Sequence, residues 1–299
     1  MTKLRKSLYD GQSAGVLYSG AILLTLLISF IFAFVLRAID FSLPEGETFP
    51  DWYLYFSFLL PQLAFALAVV LFFVFTEAKP KEVYQGAKWQ YFLLAIVLQF
   101  GLFSLSWVNG LFLQFLQDSV GYESSMQIPS LEGGGIVWVI LVVALLPAIF
   151  EESIFRGLLL HPLKKLSTPV AVVLCGALFA LYHQNPAQTL YQFCCGCAFA
   201  LVAIRANSVL PTVISHFLNN AFILVLSSFG INDFSGVGGA IFYVVSAVAL
   251  VGSLVYLIFI DQSGNAKKTE SVTPFLLTAS VGIAVCVITW LSNLMLGVA

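Results

Sequence analysis

Residues 136–160 read IVWVILVVALLPAIFEESIFRGLLL. An apolar run from Ile136 to Phe150 ends at Glu151 and Glu152, then resumes at Ile154 and continues to Leu160 around a single Arg156. The stretch is long enough to span a bilayer as a helix, which takes about 20 apolar residues. It nevertheless carries three ionisable side chains where each costs at least about 2.5–3.5 kcal/mol. Charge kept at that cost marks the place to look for chemistry.

The rest of the chain extends this reading. Of its 299 residues, 60% are apolar and 9% charged, with a mean hydropathy of +0.97; soluble domains carry roughly 25% charged residues. The expected fold is all-α, a polytopic membrane helix bundle of eight to nine transmembrane helices. Apolar runs place candidate spans at about 15–37, 52–75, 89–113, 134–160, 169–184, 188–204, 208–229, 237–260 and 273–297, the third extending toward Gln117. The fifth is short and is closed by Asn185-Pro186, because a residue before proline is pushed out of the helical region. The first run is too long for a signal-peptide core and reads as a retained helix. With no internal repeat and no soluble segment, residues 1–299 read as one membrane domain. A net charge of −2 gives no footing for a nucleic-acid partner. The five cysteines all lie in apolar stretches, so no disulfide framework is expected.

Charge sets an orientation. Of the 13 basic residues, all but Arg37 and Arg156 fall in the N-terminal segment or in alternate loops: Lys3, Arg5 and Lys6; Lys79, Lys81 and Lys88; Lys164 and Lys165; Arg205; Lys267 and Lys268. The other loops carry Asp40, Glu45, Glu47, Asp51, Asp118, Glu123, Glu132 and Asp233. The positive-inside rule then gives an integral, multi-pass cell-membrane protein with a cytoplasmic N-terminus.

Polar residues in three spans form the candidate site. Glu152 and Arg156 stand at i and i+4 on one face, with the acid N-terminal as an ion pair prefers; Glu151 is rotated away and can face a cavity. Pro147 removes a backbone donor and is expected to bend the helix. His183 ends the fifth span, four residues after Phe179. His216 lies in the seventh, four residues before Asn220. On a rise of about 1.5 Å per residue, Glu151 and His216 sit roughly 13 and 12 Å in from the cytoplasmic ends of their helices, and His183 roughly 21 Å in. A tilted or re-entrant fifth span would bring His183 level. Glu151 is expected to be the working carboxylate, a general base for water, with Glu152 and Arg156 in support. The imidazoles would position that water or the scissile carbonyl, and the Asn220 amide would stabilise an oxyanion. Two other readings stand beside this one. The Glu–Arg pair can act as interhelical glue, and Glu151, His183 and His216 are residue types that hold catalytic zinc, although no H-E-x-x-H is present.

With these residues in view, the chain resembles the CAAX-protease and bacteriocin-processing intramembrane endopeptidases, also called Abi or type II CAAX prenyl endopeptidase-like proteins. That family carries E-E-x-x-x-R, F-x-x-x-H and H-x-x-x-N/D on successive membrane helices. Here they read Glu151-Glu152-Ser153-Ile154-Phe155-Arg156, Phe179-Ala180-Leu181-Tyr182-His183 and His216-Phe217-Leu218-Asn219-Asn220, and Phe155 and Gly157 complete an F-R-G ending. The resemblance covers about 134–230, the family-like catalytic core. It implies that Glu151 and His183 activate water and that His216 and Asn220 form the oxyanion site, with Glu152, Arg156 and Phe179 in support. It leaves the cofactor as none or Zn2+, since the family is described both as metalloprotease-like and as a metal-free glutamate type. The implied partner, beyond the lipid bilayer, is a hydrophobic, lipidated or membrane-associated peptide, cleaved near the cytoplasmic face.

Two further classes compete with the endopeptidase. One is a non-catalytic membrane immunity or scaffold protein on the same fold; the other is a proton-coupled transporter, which the lack of an inverted repeat disfavours. Cys194-Cys195-Gly196-Cys197 is read as packing rather than as a metal site. Gly176 with Ala180 and Gly196 with Ala200 are small-residue pairs that permit close helix approach. Gln99, Gln114, Gln117 and Gln192 are expected to line the interior. Trp52, Trp89, Trp138 and Trp290 are expected to sit at the interfaces, and His161 in an interfacial loop.

Overall fold

The computed structural model describes residues 8–42, 48–124, 127–132, 134–231, 234–264 and 270–297. Among them the secondary structure is helical, without a β-sheet. Nine apolar helices follow one another: α1 (Gly11–Ala38), α2 (Asp51–Phe75), α3 (Trp89–Val120), α4 (Gly135–Leu163), α5 (Thr168–Tyr182), α6 (Thr189–Ala206), α7 (Leu210–Ser228), α8 (Gly236–Ile260) and α9 (Thr273–Leu296). All but the 15-residue α5 belong to segments long and apolar enough to cross a bilayer. The expected spans and the observed ones coincide to within a few residues, apart from α3, which runs on to Val120. It is broken at Phe103-Ser104, where the Ser104 and Ser106 hydroxyls bond the carbonyls of Gly101 and Phe103.

Burial follows the solvent expected for a membrane protein. Large apolar side chains such as Phe30, Phe34, Val237 and Leu277 stand on the outside, whereas Gln62, Gln99, Glu151, Glu152, Arg156, His216 and Asn219 are buried. Hydrocarbon can cover the first set but cannot hydrate the second. The chain is an integral multi-pass membrane protein.

Side-chain and backbone bonds gather the loops at two ends of the bundle. At one end the Lys164 ammonium donates to Asn207 Oδ1 (3.0 Å), Lys165 pairs with Glu270 (3.4 Å), and Ser208 Oγ donates to the Gln85 carbonyl (2.6 Å). There too Arg205 Nη1 donates to the Ser263 carbonyl (2.8 Å), and the Tyr9 hydroxyl to that of Leu158 (2.9 Å). At the other end Ser130 N donates to Asp51 Oδ1 (2.8 Å), Glu123 N to the Gly297 carbonyl (2.7 Å), and Asn293 Nδ2 to the Gln184 carbonyl (2.8 Å). Lys79, Lys81, Lys88, Lys164, Lys165 and Arg205 thus share one end; Asp40, Asp51, Asp118, Glu123 and Glu132 lie at the opposite one. Lys3, Arg5, Lys6, Glu45, Glu47, Asp233, Lys267 and Lys268, which also entered the charge pattern, lie outside the described residues.

Several local expectations need correction. His161 is part of a helical turn, Leu160–Leu163, and stacks on Tyr9 with ring centroids 4.9 Å apart. Gln114 and Gln117 are exposed rather than interior, bordering an open recess with Asp118, Tyr122 and Glu123. Trp52, Trp89 and Trp138 are exposed, but Trp290 Nε1 is turned inward and donates to Thr189 Oγ1 (2.8 Å).

Candidate active site

The site begins with irregular winding in α4. Two wide, π-helical stretches, Ile140–Leu145 and Ser153–Leu159, flank the regular segment Leu146–Glu152 that carries both glutamates. Such bulges frequently mark functional sites. Pro147 stands early in that regular segment. In a regular helix its missing N–H would have served the carbonyl of Val143, four residues back. Asn220 Nδ2, reaching over from α7, donates to that carbonyl at 3.2 Å.

Glu152 is the anchor of the cluster. Its Oε1 accepts from Arg156 Nη1 at 2.8 Å and from His216 Nδ1 at 2.9 Å, with no exposure of either the acid or the arginine side chain. The guanidinium also donates to the Gly196 carbonyl (3.3 Å) and lies over the Phe179 ring, 4.1 Å from its centroid. This route to Gly196 is open because α5 and α6 touch backbone to backbone: a Cβ on Gly196 would stand 2.7 Å from Gly176 Cα. Cys197 packs in the same seam against Gly176, whereas Cys195 is buried on another side of α6, among Ala95, Leu98 and Leu102 of α3.

Glu151 faces the other way. Its Oε1 accepts from Gln62 Nε2 of α2 at 3.3 Å, and its Oε2 lies 3.9 Å from His216 Nε2. Glu151 Oε2 and Gln62 Oε1 are both buried without a partner. His183 follows the last turn of α5, and its Nδ1 approaches the Phe179 carbonyl at 2.8 Å. Since a carbonyl only accepts, that nitrogen carries the proton and Nε2 is left as an acceptor in the neutral ring. The Phe179 ring stands edge-on to both imidazoles, with centroids 4.7 Å from His183 and 5.9 Å from His216. The short α5 therefore brings His183 level with His216 despite the depth read from its length.

A second network fixes Asn220. Gln99 Nε2 (2.9 Å) and the Tyr191 hydroxyl (2.8 Å) both donate to Asn219 Oδ1, and Asn219 Nδ2 donates to Asn220 Oδ1 (3.0 Å). Sequence reasoning passed over Gln62, Tyr191 and Asn219. The available signal for Gln62 was an amide beside Pro61 inside an otherwise apolar α2, a costly residue in a membrane helix.

These groups border one cavity of about 810 Å³, lined among others by Gln62, Glu151, His183, His216, Asn219 and Asn220. Among the described residues, no three His, Cys, Asp or Glu side chains converge closely enough to hold a metal ion. His183 Nδ1 and His216 Nδ1 are engaged by Phe179 and Glu152, and Glu151 and His216 are 3.9 Å apart at their nearest.

Together the fold and the cluster define a class: a multi-pass helical membrane protein with a buried carboxylate–imidazole centre opening on a cavity of mixed apolar and polar lining. Comparison with known families makes it specific. Residues 133–222 match the family described as Type II CAAX prenyl endopeptidase Rce1-like, and that stretch holds every residue of the three motifs. No curated protein and no solved structure matches the chain.

Proposed function

We propose that the chain is an intramembrane endopeptidase that hydrolyses a membrane-associated or hydrophobic peptide with a water activated by Glu151. The observation that carries this reading is the bare Glu151 Oε2, buried, facing the cavity and 3.9 Å from His216 Nε2. A water placed between the two atoms is within hydrogen-bond reach of both. Glu151 takes its proton as the oxygen attacks the scissile carbonyl, and returns it to the departing amine as the C–N bond breaks. Gln62 holds the other carboxylate oxygen and so fixes which lone pairs face the water. Glu152 accepts from His216 Nδ1 and orients the ring with its Nε2 toward the water and the scissile carbonyl. Asn220 spends one amide N–H on Val143 and keeps the second for the developing oxyanion. His183, an acceptor at Nε2, orients the water from the opposite wall. No step is routed through a metal. Residues 134–230 form the catalytic core of the single membrane domain, oriented with its lysine-bearing loops and N-terminus in the cytoplasm.

The test is Glu151→Gln in purified, reconstituted protein. Peptide cleavage is expected to fall to background while thermal unfolding stays close to wild type. Full turnover by a folded Glu151→Gln protein removes Glu151 from the chemistry.

A further inference from the structure

The cavity has a direction. Its lining is weighted to one end of the bundle: from α2, which starts at the end opposite the lysine-bearing loops, it takes Ser57, Phe58, Pro61 and Gln62 and nothing beyond. From α6, which starts at that same opposite end, it takes Tyr191 and Gln192; from α7, which starts at the lysine-bearing end, the lining begins only at His216 and continues past the helix to Ile231. The linker before α6 lines it too, at Gln184 and Ala187. Exposed Ile223 and Ile231 belong to its rim.

Below the glutamates, toward the lysine-bearing end, the bundle is closed. Phe155, Leu158 and Leu159 of α4 are fully buried, Arg156 fills the space between Phe155, Phe179 and Phe199, and Ala203, Ile204 and Thr212 are buried beyond them. The same ion pair that anchors the site therefore helps seal its floor. The walls have a chemistry as well. Glu151 is the one Asp, Glu, Lys or Arg among the described lining residues, and the remaining polar groups are hydroxyls, amides and imidazoles. No lysine or arginine is there to receive the carboxylate of a chain end, whereas amide side chains such as Gln62, Gln192 and Asn219 suit the N–H and C=O groups of an extended backbone.

We infer that the site is fed from the end of the bundle opposite its lysine-bearing loops, the extracytoplasmic face, and that its substrate is an uncharged internal stretch of a peptide presented there. This rests on the endopeptidase reading for the cleavage but not for the direction of access, and the two are separable. The experiment uses sealed right-side-out and inverted vesicles with a membrane-impermeant maleimide. The variants are Gln192→Cys on the cavity wall, Ser227→Cys at its outer part and Lys81→Cys on a lysine-bearing loop, and the wild-type protein with its five cysteines sets the background. Gln192→Cys and Ser227→Cys are expected to label in the vesicles where Lys81→Cys is protected, and the right-side-out preparation is expected to be that one. A quenched peptide with an uncharged centre and a carboxamide terminus, added outside, is expected to be cleaved in the same vesicles and no more slowly than its free-acid counterpart. Labelling of Gln192→Cys from the Lys81 face, or from neither face, overturns the direction of access. Labelling of Lys81→Cys in right-side-out vesicles overturns the extracytoplasmic assignment. Preference for the free acid overturns the internal-stretch assignment. The expected labelling without any cleavage rejects the endopeptidase reading alone and leaves access standing.

Discussion

Arg156 offers the sharpest quantitative test, because its removal separates a structural role for the charged cluster from a chemical one. In Arg156→Met the apolar stem is kept while Glu152 loses its 2.8 Å partner in a site with no exposure. Gly196 O loses its 3.3 Å donor, and Phe179 loses the cation 4.1 Å from its centroid. A charge-assisted hydrogen bond contributes about 1.5–3 kcal/mol and a desolvated cation–π contact about 2 kcal/mol. Their sum agrees with the roughly 3–5 kcal/mol lost when one partner of a buried ion pair is removed. Glu152→Leu, which strands the guanidinium, should cost a similar amount. The double variant Glu152→Leu/Arg156→Met carries neither stranded charge. It should return to within about 2 kcal/mol of wild type, the residue being the acceptor lost by His216 Nδ1. Unfolding midpoints of the four proteins in the same detergent give the cycle, and peptide turnover is read on each. The double variant is expected to be folded and inactive, since nothing then orients His216. A loss below about 1 kcal/mol in Arg156→Met, or strictly additive single variants, would refute the assignment of Glu152–Arg156 as a coupled anchor. A double variant with full turnover would show the cluster to be glue alone.

Three further outcomes test neighbouring parts of the site. Gln62→Leu removes the 3.3 Å bond to Glu151 and should lower turnover about 10–100-fold, equivalent to roughly 1.5–3 kcal/mol, with little change in unfolding midpoint. Gly196→Ala forces a Cβ to 2.7 Å from Gly176 Cα; separating α5 from α6 should cost about 1–3 kcal/mol in an unfolding assay. Prolonged chelation should leave peptide turnover unchanged, with metal analysis of the purified protein below one zinc per chain; activity lost on chelation and restored by zinc would require a metal in the reaction.

How far the sequence carries depends on the range of the interaction. Span limits were legible because apolar runs and their polar ends are local, and Glu152–Arg156 was legible because i and i+4 share a face. His216 donating to Glu152 was not, since the two are 64 positions apart and only the packing of α7 on α4 joins them. Gln62 and Asn219 were invisible for the same reason: each looks like a stray amide until its partner on another helix is known. The break at Phe103-Ser104 was missed because both sides of it are apolar, so hydropathy does not register it. The direction of the cavity is the least local property of all, since its lining is drawn from residues spread between Thr25 and Tyr243.

Pro147 shows how a residue with no reactive group can govern one. By withholding a single N–H from its own helix, it leaves the Val143 carbonyl as a socket into which Asn220 plugs from another. The register between α4 and α7 is thereby keyed at the depth of Glu151, by an interaction that neither helix has alone. Loosening that key would change no side chain of the Glu151, Glu152 and His216 cluster, yet would let the two helices that carry it shift against each other.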